Sequence, residues 1–161
     1  MNKILVNKHN CVFGLAGFSN SGKTTLTVSL IKIFSQKGFS VGSIKHAHHN
    51  FQIDQPGKDS WKHRKAGSQE VIVSSTKRIA HIIERKNGKE ATLKELLSLS
   101  SKKDILIVEG FKKEYFPKLE VWRENITADK LFWCFLKKCR ISGMYWKFDE
   151  VCPSNMFVRI K

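Results

Sequence analysis

The stretch Gly17–Thr24 reads GFSNSGKT: a glycine, four residues, then Gly-Lys-Thr. The apolar run CVFGLA (Cys11–Ala16) precedes it, and TLTVSLIKIF follows from Thr25. A short apolar run ended by glycine predicts a buried strand. Lys23–Gln36 predicts a helix, because Leu26, Leu30, Ile33 and Phe34 recur at one-face spacing. Gly38 stands where a helix commonly ends in a left-handed glycine. FSVGSIKH (Phe39–His46) then predicts a second strand. Strand, loop, helix and strand make a βαβ unit, whose strands run parallel with a right-handed crossover.

Working outward, AHHNFQIDQPGK (Ala47–Lys58) is a polar loop. A short helix is expected from Asp59 or Ser60 to about Ala66, ended by Gly67. EVIVSS (Glu70–Ser75) and RIAHIIER (Arg78–Arg85) predict strands, and Asn87–Lys89 a turn. A helix starts at Thr92, with Leu93, Leu96, Leu97 and Ser100 on one face. DILIVEGF (Asp104–Phe111) predicts a strand, KLEVWRE (Lys118–Glu124) a half-buried one, and LFWCFL (Leu131–Leu136) another. No repeat or linker divides the chain. The expectation is a single α/β domain over 1–161, a mainly parallel sheet flanked by helices, of the P-loop NTPase type.

Composition narrows the classes. The chain has 161 residues, of which 41% are hydrophobic and 11% aromatic, enough for a core and too apolar for a disordered chain. No apolar run is long enough to span a membrane or form a secretory signal core, so a cytoplasmic protein without membrane partners is expected. Cys11, Cys134, Cys139 and Cys152 form no C-x-x-C pair and read as buried free thiols. Twenty-nine basic against 14 acidic residues give a net charge of +15, which favours anionic partners. Residues 130–161 carry only +5 of it, and no aromatic–basic RNA-binding motif is present, so nucleic acid is not the expected partner.

The loop's chemistry follows from its parts. Gly17 lets the chain leave the strand sharply. Backbone N–H groups through Gly22 and Lys23 can point inward and surround an anion. The helix adds its positive dipole end. Lys23 can reach β- and γ-phosphates, Thr24 can ligate Mg²⁺, and Thr25 can reach an α-phosphate. Glu109 closes the apolar strand ILIV, where a carboxylate faces the crevice of an open sheet and can position metal or water.

KHAHH (Lys45–His49) opens on the same edge and suits an anion or, less well, a metal. Asp54 and Asp59 are candidate switch-like carboxylates. His63 and His81 read as ordinary surface residues, and the four tryptophans as core or interface. Base choice stays open. NKHN (Asn7–Asn10) lacks the aspartate of a guanine motif and precedes the loop. TADK (Thr127–Lys130) has the wrong order.

Four blocks in order carry a family resemblance: GFSNSGKTTL, VGSIKHAHHNFQIDQPGKDSWKHRKAG, ILIVEGFK and FPKLEVWR. The chain resembles the molybdopterin-guanine dinucleotide biosynthesis adaptor family, MobB, over about Val12–Arg123. The resemblance implies a small GTP-binding homodimer with weak GTPase activity. It would assist the guanylyltransferase that attaches GMP to molybdopterin. It maps the phosphate site onto Gly17, Asn20, Ser21, Gly22, Lys23, Thr24 and Thr25, with Glu109 as the catalytic and metal carboxylate. Lys45, His46, His48, Asp54, Lys58 and Asp59 would lie near the crevice, and Lys118 and Arg123 on the following strand. These are candidate contacts to pterin phosphate or to the partner enzyme. Trp122 stands where the family often has histidine, and the likeness fades after about Asn125. The alternatives are an ATP-dependent small-metabolite kinase, for which no clear arginine lid is visible, and a basic nucleic-acid-binding protein.

Overall fold

The computed structural model describes residues 9–47, 51–86, 88–122 and the strand Phe157–Arg159. The chain divides into two compact units, one from Ala47 to Ala91 and one from the rest. The larger, unit 1, holds a five-stranded sheet. Its strands are β1 (Cys11–Ala16), β2 (Val41–Lys45), β5 (Ile105–Glu109), β6 (Lys118–Trp122) and β7 (Phe157–Arg159). The order is β2-β5-β1-β6-β7, with only the β6–β7 pair antiparallel.

The parallel direction expected of the βαβ unit holds. β1 and β2 are parallel, but β5 lies between them and pairs with both. β5 is buried at all five positions and apolar at the first four, which suits a strand covered on both faces.

Helix α1 (Lys23–Gln36) and helix α3 (Leu93–Leu99) cover opposite faces. The period of two along each strand sorts the core. Phe13, Leu15, Ile105, Ile107, Leu119 and Val121 pack with Leu26, Leu30 and Phe34 of α1. Leu106 and Val108 turn the other way and pack with Leu93 and Leu97 of α3. Each fully buried leucine or isoleucine contributes about 1.5–3 kcal/mol relative to exposure.

Local signals set the boundaries. α1 ends with Gly38 at φ 85°. α3 starts in a capping box: Glu95 N–H donates to Thr92 Oγ1 at 3.2 Å, and Thr92 N–H donates to Glu95 Oε2 at 2.7 Å. Asp104 ties the sheet's amino edge together. Its carboxylate accepts from Ser40 N–H, Ser40 Oγ and Asn10 Nδ2 at 2.9, 2.6 and 3.0 Å, which lowers its pKa, the Ser40 hydroxyl contributing most.

β6 is more buried than its alternation suggests. Lys118–Val121 are all buried. Lys118 is accommodated by donating to the carbonyls of Lys112, at 3.0 Å, and Glu114, with its ammonium 4.6 Å from the Phe116 ring centroid.

Unit 2 contains helix α2 (Asp59–Lys65) and the antiparallel pair β3 (Glu70–Ser74) and β4 (Ile79–Ile83). Gly67 follows the helix at φ 106°. Cys11 is a buried free thiol, as expected. The other three cysteines and LFWCFL lie outside the described residues. Strand β7 had no periodic signal and emerges only from its pairing with β6.

Candidate functional site

The site is built where β1 ends. Two parallel neighbours hold β1 in the sheet centre, so its carboxyl end delivers the GFSNSGKT loop to the sheet edge. Gly17 passes so close to β6 that a Cβ would stand 2.4 Å from the Val121 carbonyl oxygen and 2.6 Å from Ser21 Oγ. Asn20 and Gly22 take left-handed conformations, φ 61° and 99°, and bend the loop into α1. Gly22 caps α1 without a side chain, and no acidic residue occupies the first turn. The helix's leading N–H groups are therefore left for an anion. Ser21 is buried, and its Oγ has no hydrogen-bond partner among the described residues. An orphaned buried hydroxyl inside this glycine-bent loop fits a phosphate cradle.

Lys23 Nζ donates to the Phe18 carbonyl across the loop at 2.6 Å. Partial burial lowers its pKa. Glu109 opposes that shift, and Lys112 and Lys45 add to it. Thr24 Oγ1 donates to Glu109 Oε1 at 3.2 Å, and Thr27 Oγ1 lies 2.9 Å from the Lys23 carbonyl and 3.5 Å from Glu109 Oε2. Lys45 Nζ reaches Glu109 Oε1 at 3.5 Å. Glu109 is 9% exposed, so the carboxylate is a buried hub under Thr24. One hydroxyl and one carboxylate at this spacing fit Mg²⁺, which keeps waters and takes further oxygens from phosphates. No group of three or more histidine, cysteine or acidic side chains at metal-binding spacing occurs among the described residues.

The sequence model described as "MobB: Molybdopterin guanine dinucleotide synthesis protein B" matches residues 12–139. The chain belongs to the MobB family. It is 39% identical over 126 residues to the molybdopterin-guanine dinucleotide biosynthesis adapter protein of Haemophilus influenzae, covering 77% of this chain and 70% of that one. It is 41% identical over 116 residues to the Escherichia coli protein of the same name, covering 71% and 66%. Among solved structures, Bacillus subtilis MobB aligns with a TM-score of 0.53 and 29% identity over 67% of this chain and 64% of that one. The chain thus spans about two thirds of the length of these relatives.

The remaining contacts that the MobB resemblance implies divide four ways. Lys45 and Glu109 meet beside the loop. His46 sits next to them. Its N–H donates to the Glu109 carbonyl at 2.8 Å, and its ring stacks on Phe111 with centroids 4.7 Å apart. Lys118 is buried under the 112–114 turn. Asp54, Lys58 and Asp59 belong to unit 2: Asp54 pairs with Arg64, Lys58 is the N-cap of α2, and Asp59 pairs with Lys62 at 3.6 Å. His48 and Arg123 lie outside the described residues. Thr25 is exposed on the first turn of α1. No helix among the described residues is long and apolar enough to cross a membrane.

Two residues of the site went unnoticed in the sequence. Thr27 bridges Lys23 and Glu109 and was legible as a hydroxyl one turn after the lysine. Lys112 places its ammonium 5.1 Å from the ring centroid of Phe18, inside the loop. Its signal was a lysine three residues after Glu109, on a turn bent by Gly110 at φ 102° and Phe111 at φ 51°.

Proposed function

We propose that this chain is a GTP-binding adapter of molybdopterin-guanine dinucleotide biosynthesis, with slow GTPase activity. It assists the guanylyltransferase that joins GMP to molybdopterin. The observation that carries the nucleotide part is the GFSNSGKT loop at the carboxyl end of β1 with Glu109 directly beneath Thr24. Family membership supports the adapter role, the choice of guanine and the partner enzyme.

The loop amides and the start of α1 bind the phosphates. Lys23 leaves the Phe18 carbonyl and moves to the β- and γ-phosphates, and Lys45 and Lys112 add positive charge at the mouth. Thr24 and Glu109 hold Mg²⁺, which when bound offsets phosphate charge. Glu109 also orients water for slow hydrolysis. The protein acts as a homodimer. Ile72, Ile79 and Ile83, exposed on one face of the β3–β4 hairpin, offer apolar area that a second subunit would cover.

Calorimetric titration of GTP, GDP and ATP with Mg²⁺, on the chain and on Lys23→Ala, tests this. Guanine preference that disappears in the variant is expected. Equal or tighter binding of ATP would refute the guanine assignment and favour a kinase. Absence of binding would remove the nucleotide from the function.

A further inference from the structure

Lys118 lies outside the phosphate loop, yet it is a buried cation. It stands on β6 at 6% exposure, opposite Gly14 of β1. A Cβ at Gly14 would stand 2.9 Å from Lys118 Cγ and 2.8 Å from the Phe116 ring, so the bare glycine makes room for both side chains. The Lys118 ammonium donates to the Lys112 carbonyl at 3.0 Å and to the Glu114 carbonyl, and it lies over the Phe116 ring. Burying an ammonium costs stability unless such groups replace its water, and an apolar side chain of the same length would avoid the cost. What the charge provides is a clamp on two carbonyls of one turn.

The other end of that turn is fixed by packing. The chain leaves β5 through two left-handed residues, Gly110 at φ 102° and Phe111 at φ 51°. A left-handed phenylalanine is strained, and burial holds it there. Phe111 packs with Leu106 and Val108, and its ring stacks on His46. A Cβ at Gly110 would stand 2.7 Å from His46 Cβ. Glu114 N–H donates to the Phe111 carbonyl at 3.1 Å and closes the turn.

Between these two anchors the turn presents Lys112. Its ammonium lies 5.1 Å from the Phe18 ring centroid, and its charge helps to lower the Lys23 pKa. Among the described residues no carboxylate pairs with Lys112. In the free protein Phe18 thus holds two lysines, Lys23 on its carbonyl and Lys112 on its ring. A cation over a ring is held less firmly than one bonded to phosphate. Lys112 can therefore move to an anion at the loop mouth without breaking an ion pair. A lysine at the Lys23 position reaches β- and γ-phosphates, so a second cation beside it adds to the terminal group.

We propose that Lys118 is a positioning residue for nucleotide discrimination: it clamps the 112–114 turn so that Lys112 meets the third phosphate of a bound triphosphate. The assignment rests on nucleotide binding at the GFSNSGKT loop, as proposed above, and holds for either base.

Calorimetric titration with Mg²⁺ gives the ratio of the GDP to the GTP dissociation constant for the full chain, Lys112→Ala, Lys118→Met and the double variant. Lys112→Ala should lower the ratio by about tenfold. Lys118→Met keeps the length and removes the donors. It should lower the ratio by a similar factor, and the double variant by no more than Lys112→Ala alone. A purely structural Lys118 would change the melting temperature, or weaken both nucleotides equally, and leave the ratio as it was. That result, or additive losses in the double variant, would overturn the proposal. If Lys118→Met does not fold, Gly14→Ala displaces the same stem and ring with the charge retained. An unchanged ratio in that variant, once folded, would overturn the proposal equally. ATP bound in place of GTP would refute only the guanine assignment, and the ratio is then read on ADP and ATP. Absence of all nucleotide binding would overturn both.

Discussion

Gly17 and Gly38 provide a matched pair of substitutions with different physical costs. Alanine at Gly38 would meet no atom within 4 Å, so its cost is backbone strain at φ 85°. That strain is about 1–2 kcal/mol. Alanine at Gly17 would place its Cβ 2.4 Å from the Val121 carbonyl oxygen and 2.6 Å from Ser21 Oγ. Ordinary contact begins near 3.4 Å, so loop and strand must separate by about 1 Å. Val121 is 1% exposed and hydrogen-bonded into the sheet, so the loop yields instead. Overpacking of this kind costs about 1–3 kcal/mol. Gly17 itself sits at φ 156°, which an L side chain rarely adopts, so Gly17→Ala carries strain as well as the clash and should lose more stability than Gly38→Ala in urea unfolding, with unchanged m-values. Only Gly17→Ala should also lose GTP affinity, by about tenfold or more, because the cradle itself has moved. Wild-type affinity in Gly17→Ala would refute the argument that this close approach shapes the site.

Other predictions follow from single contacts. Lys112→Ala should weaken GTP more than GDP in titrations, because its ammonium lies at the loop mouth over Phe18; equal losses for both would place it away from the terminal phosphate. Thr92→Ala breaks the capping box and should destabilise the chain by about 1 kcal/mol in urea melts, with nucleotide affinity unchanged. Lys23 has a lowered pKa in the free protein, and phosphate contact should raise it again. Binding in alkaline buffer below the ordinary lysine value of 10.5 should therefore take up protons. Calorimetry in buffers of different ionisation enthalpy reads this, and proton release would contradict it. The same shift makes a stability contribution of definite sign. Charged Lys23 is disfavoured in the fold, so its penalty is present below the folded pKa and fades as pH rises toward the unfolded value of 10.5.

The site's core was legible because its chemistry is local. Eight consecutive residues place the glycines, the lysine and the threonine, and the flanking apolar run and amphipathic helix fix their context. Glu109 was legible at one remove, as the polar end of an apolar strand. Lys112 was not, because its approach to Phe18 depends on how the turn after β5 bends. Lys118 read as an accessible cation on a half-buried strand. Its burial depends on the 112–116 turn folding back over it, which the alternation of the strand does not signal.

The sequence by itself determined the elements, the phosphate-loop chemistry and the family, since each rests on the order of neighbouring residues. Only the tertiary structure decided the strand order, with β5 inserted between β1 and β2. It alone brought Thr24, Thr27 and Lys45 onto one carboxylate. It alone set Arg64 between Asp54 and Glu84. Parallel strands are joined through long crossovers, so local pattern carries no information about which strand lies beside which. Contacts between residues tens of positions apart exist only once that order is set.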